Sequence, residues 1–281
     1  MESIYKLLKI IPLKMRLKIF YFFKFRKILD IKKPKKYTEK IQYRKLNMLS
    51  SYSVLSDKLL VKNYISKLIG KEYIIKTIYH TTNVDDINFN KLPDSFVIKT
   101  NFGSGAEHIH IIKDKNKIDE NSIKKKFQKA LSKKYKGSIL GETQYDKINK
   151  KILIEEFIDN NGNDIDDFKF HIFNSKNGFL QIDFDRFSDH KRNLYNLNFE
   201  KLNYGLCYKQ GDYTLPPLEL LEKMKNISLT LSQNFDYVRI DLYLVKDKIF
   251  FGEMTFTPGS GFEAFSNSYA DELYGKLWLQ E

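Results

Sequence analysis

Apolar and polar residues alternate most regularly near the end of the chain, in the run VRIDLYLVKDKIFFGEMTFTPGSG from Val238 to Gly261. Ile240, Leu242, Leu244, Phe250, Met254 and Phe256 fall on even positions, a period of two that predicts a hairpin with one face in a core. With Lys246, Asp247 and Lys248 as a three-residue turn, Val245 faces Ile249, Asp241 faces Glu253 and Arg239 faces Thr255. Elsewhere, Leu60, Tyr64 and Leu68 with Val61, Ile65 and Ile69 make one stripe of a helix over Asp57–Ile69, and Gly70 sits where a C-terminal cap belongs. Pro93-Asp94 starts a strand, Ser95–Thr100, which enters the loop NFGSGAEH and returns as His108–Ile112. Asp119–Tyr135 reads as a basic amphipathic helix, Lys151–Ile158 as a buried strand, and Pro217–Asn234 as a helix ahead of the last hairpin. Phe168–Asn174 and Phe179–Phe184 pair around Asn177-Gly178. These elements predict an α+β fold with no clean βαβ series and no fixed-period repeat.

Composition limits the function classes. A chain of 281 residues, 42% apolar and 15% aromatic, can bury a sizeable core in one large or a few small subdomains. A single cysteine, Cys207, excludes an intrachain disulfide framework and a cysteine metal site, as suits a reducing cytosol. No signal-peptide pattern appears, and no stretch approaches the roughly 18 apolar residues of a transmembrane helix.

The net charge of +13 is uneven: residues 1–36 hold twelve Lys and Arg against Glu2 and Asp30, which leaves about +3 for the rest. Bulky apolar residues from Ile4 to Phe25 lie between those cations. A basic, apolar-studded arm predicts peripheral contact with an anionic membrane surface. A solvated helix packed on the body, or a lysine bias of the coding sequence, would give the same composition. No nucleic-acid module is visible, so nucleic acid is not an expected partner.

Candidate chemistry lies on the polar positions. In the last hairpin the Cβ atoms of Asp241 and Glu253 would lie roughly 5 Å apart, where like charges repel. A bridging divalent cation such as Mg²⁺ with phosphate oxygens would relieve this; so would Arg239 or solvent. Lys99 ends an apolar strand directly before Gly103-Ser104-Gly105, glycines that would let backbone N–H groups approach phosphate oxygens, although such a loop is more often only a turn. The strand ILIEEFI ends in Glu155 and Glu156, read either as a nucleotide hinge with an acid for a ribose or as acids facing water.

In this order the chain resembles the ATP-grasp superfamily, through Asp57-Lys58, Lys99 with Gly103-Ser104-Gly105, Ile154-Glu155-Glu156-Phe157-Ile158, Arg239-Ile240-Asp241 and Gly252 to Gly259. It is similar in particular to the TupA-like branch, named for teichuronopeptide biosynthesis and found among bacterial surface-polysaccharide genes. The matching phrases are Tyr37-Thr38-Glu39-Lys40-Ile41, Leu92 to Lys99, Asp167-Phe168-Lys169-Phe170 and Asp185 to Arg192, and the likeness runs from about Lys35 to about Glu272. The resemblance implies two α+β lobes gripping ATP, with divisions at 1–36 (basic arm), 37–92 (N-terminal subdomain), 93–158 (ATP-lid subdomain) and 159–281 (catalytic subdomain). It implies phosphate contacts from Lys58 and Lys99 under a closing Gly103–Gly105 loop, an adenine frame from Glu155, Glu156, Phe157 and Ile158, and nucleotide contacts from Asp167 and Lys169. Asp241 and Glu253 would hold Mg²⁺; Thr255 stands where the superfamily commonly has Asn, which puts a second metal in doubt. Arg186, His190, Arg192 and Arg239 would meet the γ-phosphate or an anionic acceptor.

The implied activity is a carboxylate–amine ligase working through an acyl phosphate, with an amino acid or amine and a sugar carboxylate as substrates. A glycosyltransferase of the same polysaccharides is the competing enzyme class, expected to bind a nucleotide sugar through its acidic pair but leaving Lys99 and its glycine loop without a role. A membrane-bound scaffold that binds no nucleotide is the third.

Overall fold

Two antiparallel sheets organise the chain. The computed structural model describes residues 8, 10–133, 136–186 and 188–280; Phe187, Tyr135 and the arm residues 1–7 and Lys9 lie outside the described residues. The smaller sheet contains β1 (Thr77–Thr81), β2 (Phe96–Thr100), β3 (Ile109–Ile112) and β4 (Ile152–Glu156), in the order β1-β4-β2-β3. Phe96, Ile98, Ile152 and Ile154 alternate onto one face of it and bury against Ile123 and Phe127 of a helix, Glu120–Ser132. Asp119 caps that helix by accepting from the Ser122 N–H at 3.0 Å.

The larger sheet runs β7 (Lys191–Asn196), β6 (Asn177–Phe184), β5 (Asp167–Phe173), β8 (Tyr237–Val245) and β9 (Lys248–Thr255). Its even positions, among them Phe168, Phe170, Ile182, Ile240 and Met254, pack against Met224 and Leu231 of the helix Leu218–Ser232 and against Val61 and Ile65 of the helix Val61–Leu68. The odd positions Asp167, Lys169, His171, Gln181, Asp183, Arg239 and Asp241 form the opposite face and are buried as well. A strand buried on both faces is normally apolar on both; here the middle of one face is polar, and only its end is aromatic. Two helices, α2 (Tyr37–Leu46) and α7 (Ser268–Leu277), close one end of it over an aromatic cluster of Tyr37, Phe173, Phe179, Tyr237, Tyr274 and Trp278. The Tyr37-Thr38-Glu39 phrase makes this closure. Tyr37 Oη lies 2.7 Å from Tyr237 Oη, Thr38 donates to Asp271, and Glu39 accepts from the Lys35 and Lys36 N–H groups.

α1 (Leu13–Phe25) is docked on the body, with Leu17 and Tyr21 buried beside Leu29 and Ile31. The basic segment is therefore partly integrated into the fold.

Several expectations shift by local chemistry. The helix expected over Asp57–Ile69 starts later: a short helix Ser51–Ser56 ends at Asp57, and the next helix starts at Val61. Asp57 accepts from the N–H groups of Leu59 (2.8 Å) and Leu60 (3.2 Å), a local bond that competes with helix continuation. The β5–β6 turn lies at Asn174-Ser175, both at positive φ, and Asn177-Gly178 is inside the strand. The last hairpin turns tightly at Lys246 and Asp247, both at positive φ, so Val245 pairs with Lys248 and Leu244 with Ile249. A bulge at Gly252 then restores Asp241↔Glu253 and Arg239↔Thr255. Ile249 and Phe251 consequently join the core, while Phe250 pairs with Tyr243. The space at Gly252 is tight, since a Cβ would meet Asp241 O at 3.1 Å and the Tyr243 ring at 3.0 Å.

Gly178 leaves still less room: a Cβ would lie 2.1 Å from His171 O on the neighbouring strand. Gly178→Ala should cost about 2 kcal/mol or more through backbone displacement in β5–β6, read as a lower denaturant midpoint with an unchanged m-value.

Candidate active site

The polar face of the larger sheet is a connected set of charges. Arg239, on β8, donates from Nε to Asp241 Oδ1 at 2.7 Å and from Nη2 to Asp241 Oδ2 (2.7 Å), Glu253 Oε1 (3.1 Å) and Thr255 Oγ1 (3.2 Å). Thr255 donates in turn to Glu253 Oε1 at 3.2 Å. Lys169, directly opposite Asp241 on β5, places Nζ 2.8 Å from Asp241 Oδ2 and 3.0 Å from Asp167 Oδ1. Arg186 pairs with the other oxygen of Asp167. Period-two alternation therefore relieves the repulsion between Asp241 and Glu253 with protein cations, Arg239 above all.

Burial alone would raise the Glu253 carboxyl, but Lys58, Arg239 and Lys169 outweigh it and hold it well below the usual carboxylate range. Asp241 is deeper, and burial raises it despite Arg239 and Lys169. Burial would lower the Lys169 ammonium, yet Asp167 and Asp241 leave it raised and charged.

A second set of cations comes from β2 of the smaller sheet and from the turn and helix that carry Lys58 and Lys62. Lys58 Nζ bonds Gly103 O at 3.0 Å and lies 3.2 Å from Glu253 Oε2, joining the glycine loop to the carboxylate pair. Lys99 lies 2.5 Å from Glu155 Oε2, and Lys62 lies 2.5 Å from Glu155 Oε1. Burial pushes the Glu155 carboxyl up, but these two lysines bring it below its ordinary value. Glu155 is buried and holds two ammonium groups in the interior, while Glu156 is exposed.

Between the sheets lies a cavity of about 190 Å³, lined by Val97, Ile109, Ile111, Phe157, Ile158 and Tyr243, with Lys99, Lys113 and Arg186 as its cations. Ile109 and Ile111 stand 40% and 43% exposed on it, apolar surface suited to a flat ring. Gly103, Ser104 and Gly105 connect β2 to the turn before β3. Gly103 sits against the His108 ring, where a Cβ would come within 2.1 Å of Nδ1.

Arg192 is fully committed: Nε and Nη2 bond Asp183 at 2.5 and 3.1 Å, and Nη1 bonds Glu263 Oε1 at 2.9 Å. His190 stacks on Tyr208 with centroids 3.9 Å apart, and its buried Nε2 lies 3.6 Å from Asp183 Oδ1 without a hydrogen bond among the described residues. The structure so brings together Lys58, Lys169, Arg239, Asp241, Glu253 and Thr255, sets Lys99 beside the cavity, and places Arg186, His190 and Arg192 along the Asp167–Asp183 side. Lys62, Asp183, Glu263 and Tyr243 were missed. Gln181 and Asp183 between Leu180, Ile182 and Phe184 carry the same period-two signal as the last hairpin, and Lys62 lies one helical turn beyond Lys58.

A metal would find two carboxylates here. Among the described residues no group of three or more His, Cys, Asp or Glu gathers that could hold an ion. Mg²⁺ shared with substrate phosphates needs only one or two carboxylates, so Asp241 and Glu253 fit an ion that arrives with a phosphate ligand.

A family model described as TupA-like ATPgrasp matches residues 39–279. The chain belongs to the TupA-like ATP-grasp family. Among solved structures, a D-alanine–D-alanine ligase from Helicobacter pylori aligns with a TM-score of 0.46 at 16% identity over 81% of this chain and 60% of that one. One from Bacillus anthracis gives 0.42 at 21% over 76% and 59%. An L-amino acid ligase from Bacillus licheniformis gives 0.44 at 14% over 88% and 55%. The TupA-like chain thus spans about three fifths of the length of the D-alanine–D-alanine ligases it matches. A search of curated protein sequences gave no match.

The Asp183–Arg192 pair carries a pH signature. Burial opposes the Asp183 charge, but Arg192, Lys169 and His190 bring its carboxyl from 3.8 down to about 2. A depressed folded-state pKa gives stability that is present above the unfolded value and lost as pH falls toward 2. Arg192→Met should abolish this gain, on the order of 2 kcal/mol, and leave a buried carboxylate short of a partner. Denaturation profiles at pH 7 and pH 3 should then differ by less in the variant than in the parent.

Proposed function

We propose that this chain is an ATP- and Mg²⁺-dependent carboxylate–amine ligase that attaches an amino acid or amine to a carboxylate on a bacterial surface polysaccharide or its precursor. The observation that carries the reading is the Lys58 bridge, which sets the glycine loop of one sheet beside the Asp241–Glu253–Arg239 cluster of the other. Family membership supports the reaction class, and the TupA-like branch supports the polysaccharide.

Adenine would enter the apolar cavity against Ile109, Ile111, Phe157, Ile158 and Tyr243, with Glu156 at its edge and Asp167 toward the ribose. The phosphates would then lie toward Lys58, Lys99 and Lys169, under Gly103–Gly105. Asp241 and Glu253 would hold Mg²⁺, with the Thr255 hydroxyl beside them; the ion would neutralise phosphate charge during transfer. The substrate carboxylate takes the γ-phosphoryl group, releasing ADP. The amine nitrogen then bonds the carbonyl carbon as phosphate leaves, and its proton passes to solvent. Arg239, buried and oriented by Asp241, is placed to stabilise the oxyanion of the tetrahedral stage. Arg186 and His190 would face an anionic acceptor, while Arg192, held by Asp183 and Glu263, positions that side of the site.

At about a hundredfold excess over Kd, ATP-Mg²⁺ should raise Tm by roughly 5 °C or more. Asp241→Asn and Glu253→Gln should remove that shift. Lys99→Met should weaken ATP binding about tenfold, while Lys62 keeps Glu155 compensated. A shift with nucleotide sugars in place of ATP-Mg²⁺ would point to a glycosyltransferase and defeat the ligase reading.

Phosphate release from ATP, assayed across a panel of uronic acids paired with amino acids, should appear only when carboxylate and amine are both present. Release with neither would mean a simple ATPase.

A further inference from the structure

α1 is apolar on two opposite sides. Leu17 and Tyr21 face the body, and Phe20 meets the Phe262 ring edge-on at 6.4 Å, directly beyond the Pro258–Gly261 turn. On the other side Met15, Ile19, Phe22 and Phe23 follow one another at i, i+4, i+7 and i+8, which makes a continuous ridge along the helix. They are 55%, 38%, 47% and 65% exposed, and Ile28 just past the helix is 85% exposed. Single exposed apolar residues are ordinary, but a ridge of this kind marks a contact surface.

The charge around the ridge identifies the partner. Lys14, Lys18, Lys24, Arg26 and Lys27, on the same helix and just past its end, are all exposed. The nearest acid in the described arm, Asp30, spends Oδ1 on the Lys32 and Lys33 N–H groups at 2.9 and 3.0 Å. A second copy docking by the same face would bring these cations against their own kind. Nucleic acid would use the cations but would leave the aliphatic and phenyl groups in water. No helix of the described residues is long and apolar enough to cross a membrane, so the ridge would lie in the plane of the interface.

We propose that the outward face of α1 docks on an anionic lipid bilayer, with Met15, Ile19, Phe22 and Phe23 in the headgroup–acyl boundary and the flanking cations against lipid phosphates. The inner face of α1 is packed on the body, so docking also fixes the orientation of the molecule and holds the Pro258–Gly261 turn on the membrane side. The proposal does not rest on the ligase reading, because its test needs no nucleotide.

The test is flotation of the full chain with phosphatidylglycerol vesicles, with phosphatidylcholine vesicles as the neutral control and duplex DNA as a competitor. The chain should float with phosphatidylglycerol, be released by high salt, and stay behind with phosphatidylcholine. The variant Met15→Ser/Ile19→Ser/Phe22→Ser/Phe23→Ser should bind about tenfold or more weakly, with a lower Tm because Ile19 and Phe22 are more than half buried. A second variant, Lys18→Glu/Lys24→Glu/Lys27→Glu, should lose phosphatidylglycerol binding while keeping the ridge, so the result stands even if the serine variant folds poorly. Failure to float with phosphatidylglycerol, or flotation that neither variant reduces, overturns the proposal. So does displacement by DNA that the serine variant shares equally, or a dimer seen by light scattering that the serine variant abolishes.

Discussion

Arg239 must be charged, buried and shared. Its guanidinium serves Asp241, Glu253 and Thr255 at once, and without it two carboxylates would face each other on adjacent strands. The polar face of the sheet extends from this point in alternating sign: Lys169 between Asp241 and Asp167, Arg186 on Asp167, and Arg192 on Asp183. Such a face is expensive. Buried ion pairs seldom outperform well-packed apolar residues of the same volume, because desolvation consumes most of the Coulombic gain. The opposite face of the same strands shows the apolar solution the sequence can supply. A polar face kept beside it fits the chemistry proposed for this site.

Lys99 of the smaller sheet, with Lys58 and Lys62, forms a second set of cations that share carboxylate partners. Glu155 binds both Lys62 and Lys99, and Lys58 divides itself between Gly103 O and Glu253. In the proposed reaction an incoming phosphate would draw Lys99 away from Glu155, and Lys62 would keep that buried carboxylate compensated. Lys62 also bonds Ile75 O and Thr77 Oγ1, each at 2.6 Å, so it is anchored independently of Lys99. The arrangement lets one lysine move at small cost while its neighbour stays.

Local pattern carried much of this architecture, and it failed where distance or a single extra residue mattered. The odd–even alternation of Val238–Phe256 was enough to place Asp241 against Glu253 and Arg239 against Thr255. It was not enough to find the turn, because the strand contains one residue more than a regular ladder and Gly252 absorbs it as a bulge. Asn177-Gly178 has the composition of a tight turn, yet the chain reverses at Asn174-Ser175, where the Asn174 N–H also bonds Asp236 O across the sheet. The pairing of β1 with β4 joins segments with two strands and a long helix between them, among other elements, and no short-range periodicity encodes it. Glu155 is the clearest case for the site: its two acids looked alike in sequence, and only the fold puts Lys62 and Lys99 beside one of them.

Thr255 defines what the carboxylate pair can hold. Its hydroxyl accepts from Arg239 and donates to Glu253, so its proton and one of its lone pairs are already used. A side-chain amide at that position would offer a longer reach and an oxygen with two lone pairs, and could ligate an ion while still donating to the carboxylate. In the proposed site Asp241 and Glu253 would be the charged ligands, the Thr255 hydroxyl would have one lone pair left to offer, and the other positions would fall to phosphate oxygens and water. Such a site has little hold on a metal alone and much more on a metal–nucleotide complex. Arg239 pairs with both carboxylates, so the proposed dependence on a metal–nucleotide complex would not leave their two negative charges without a partner.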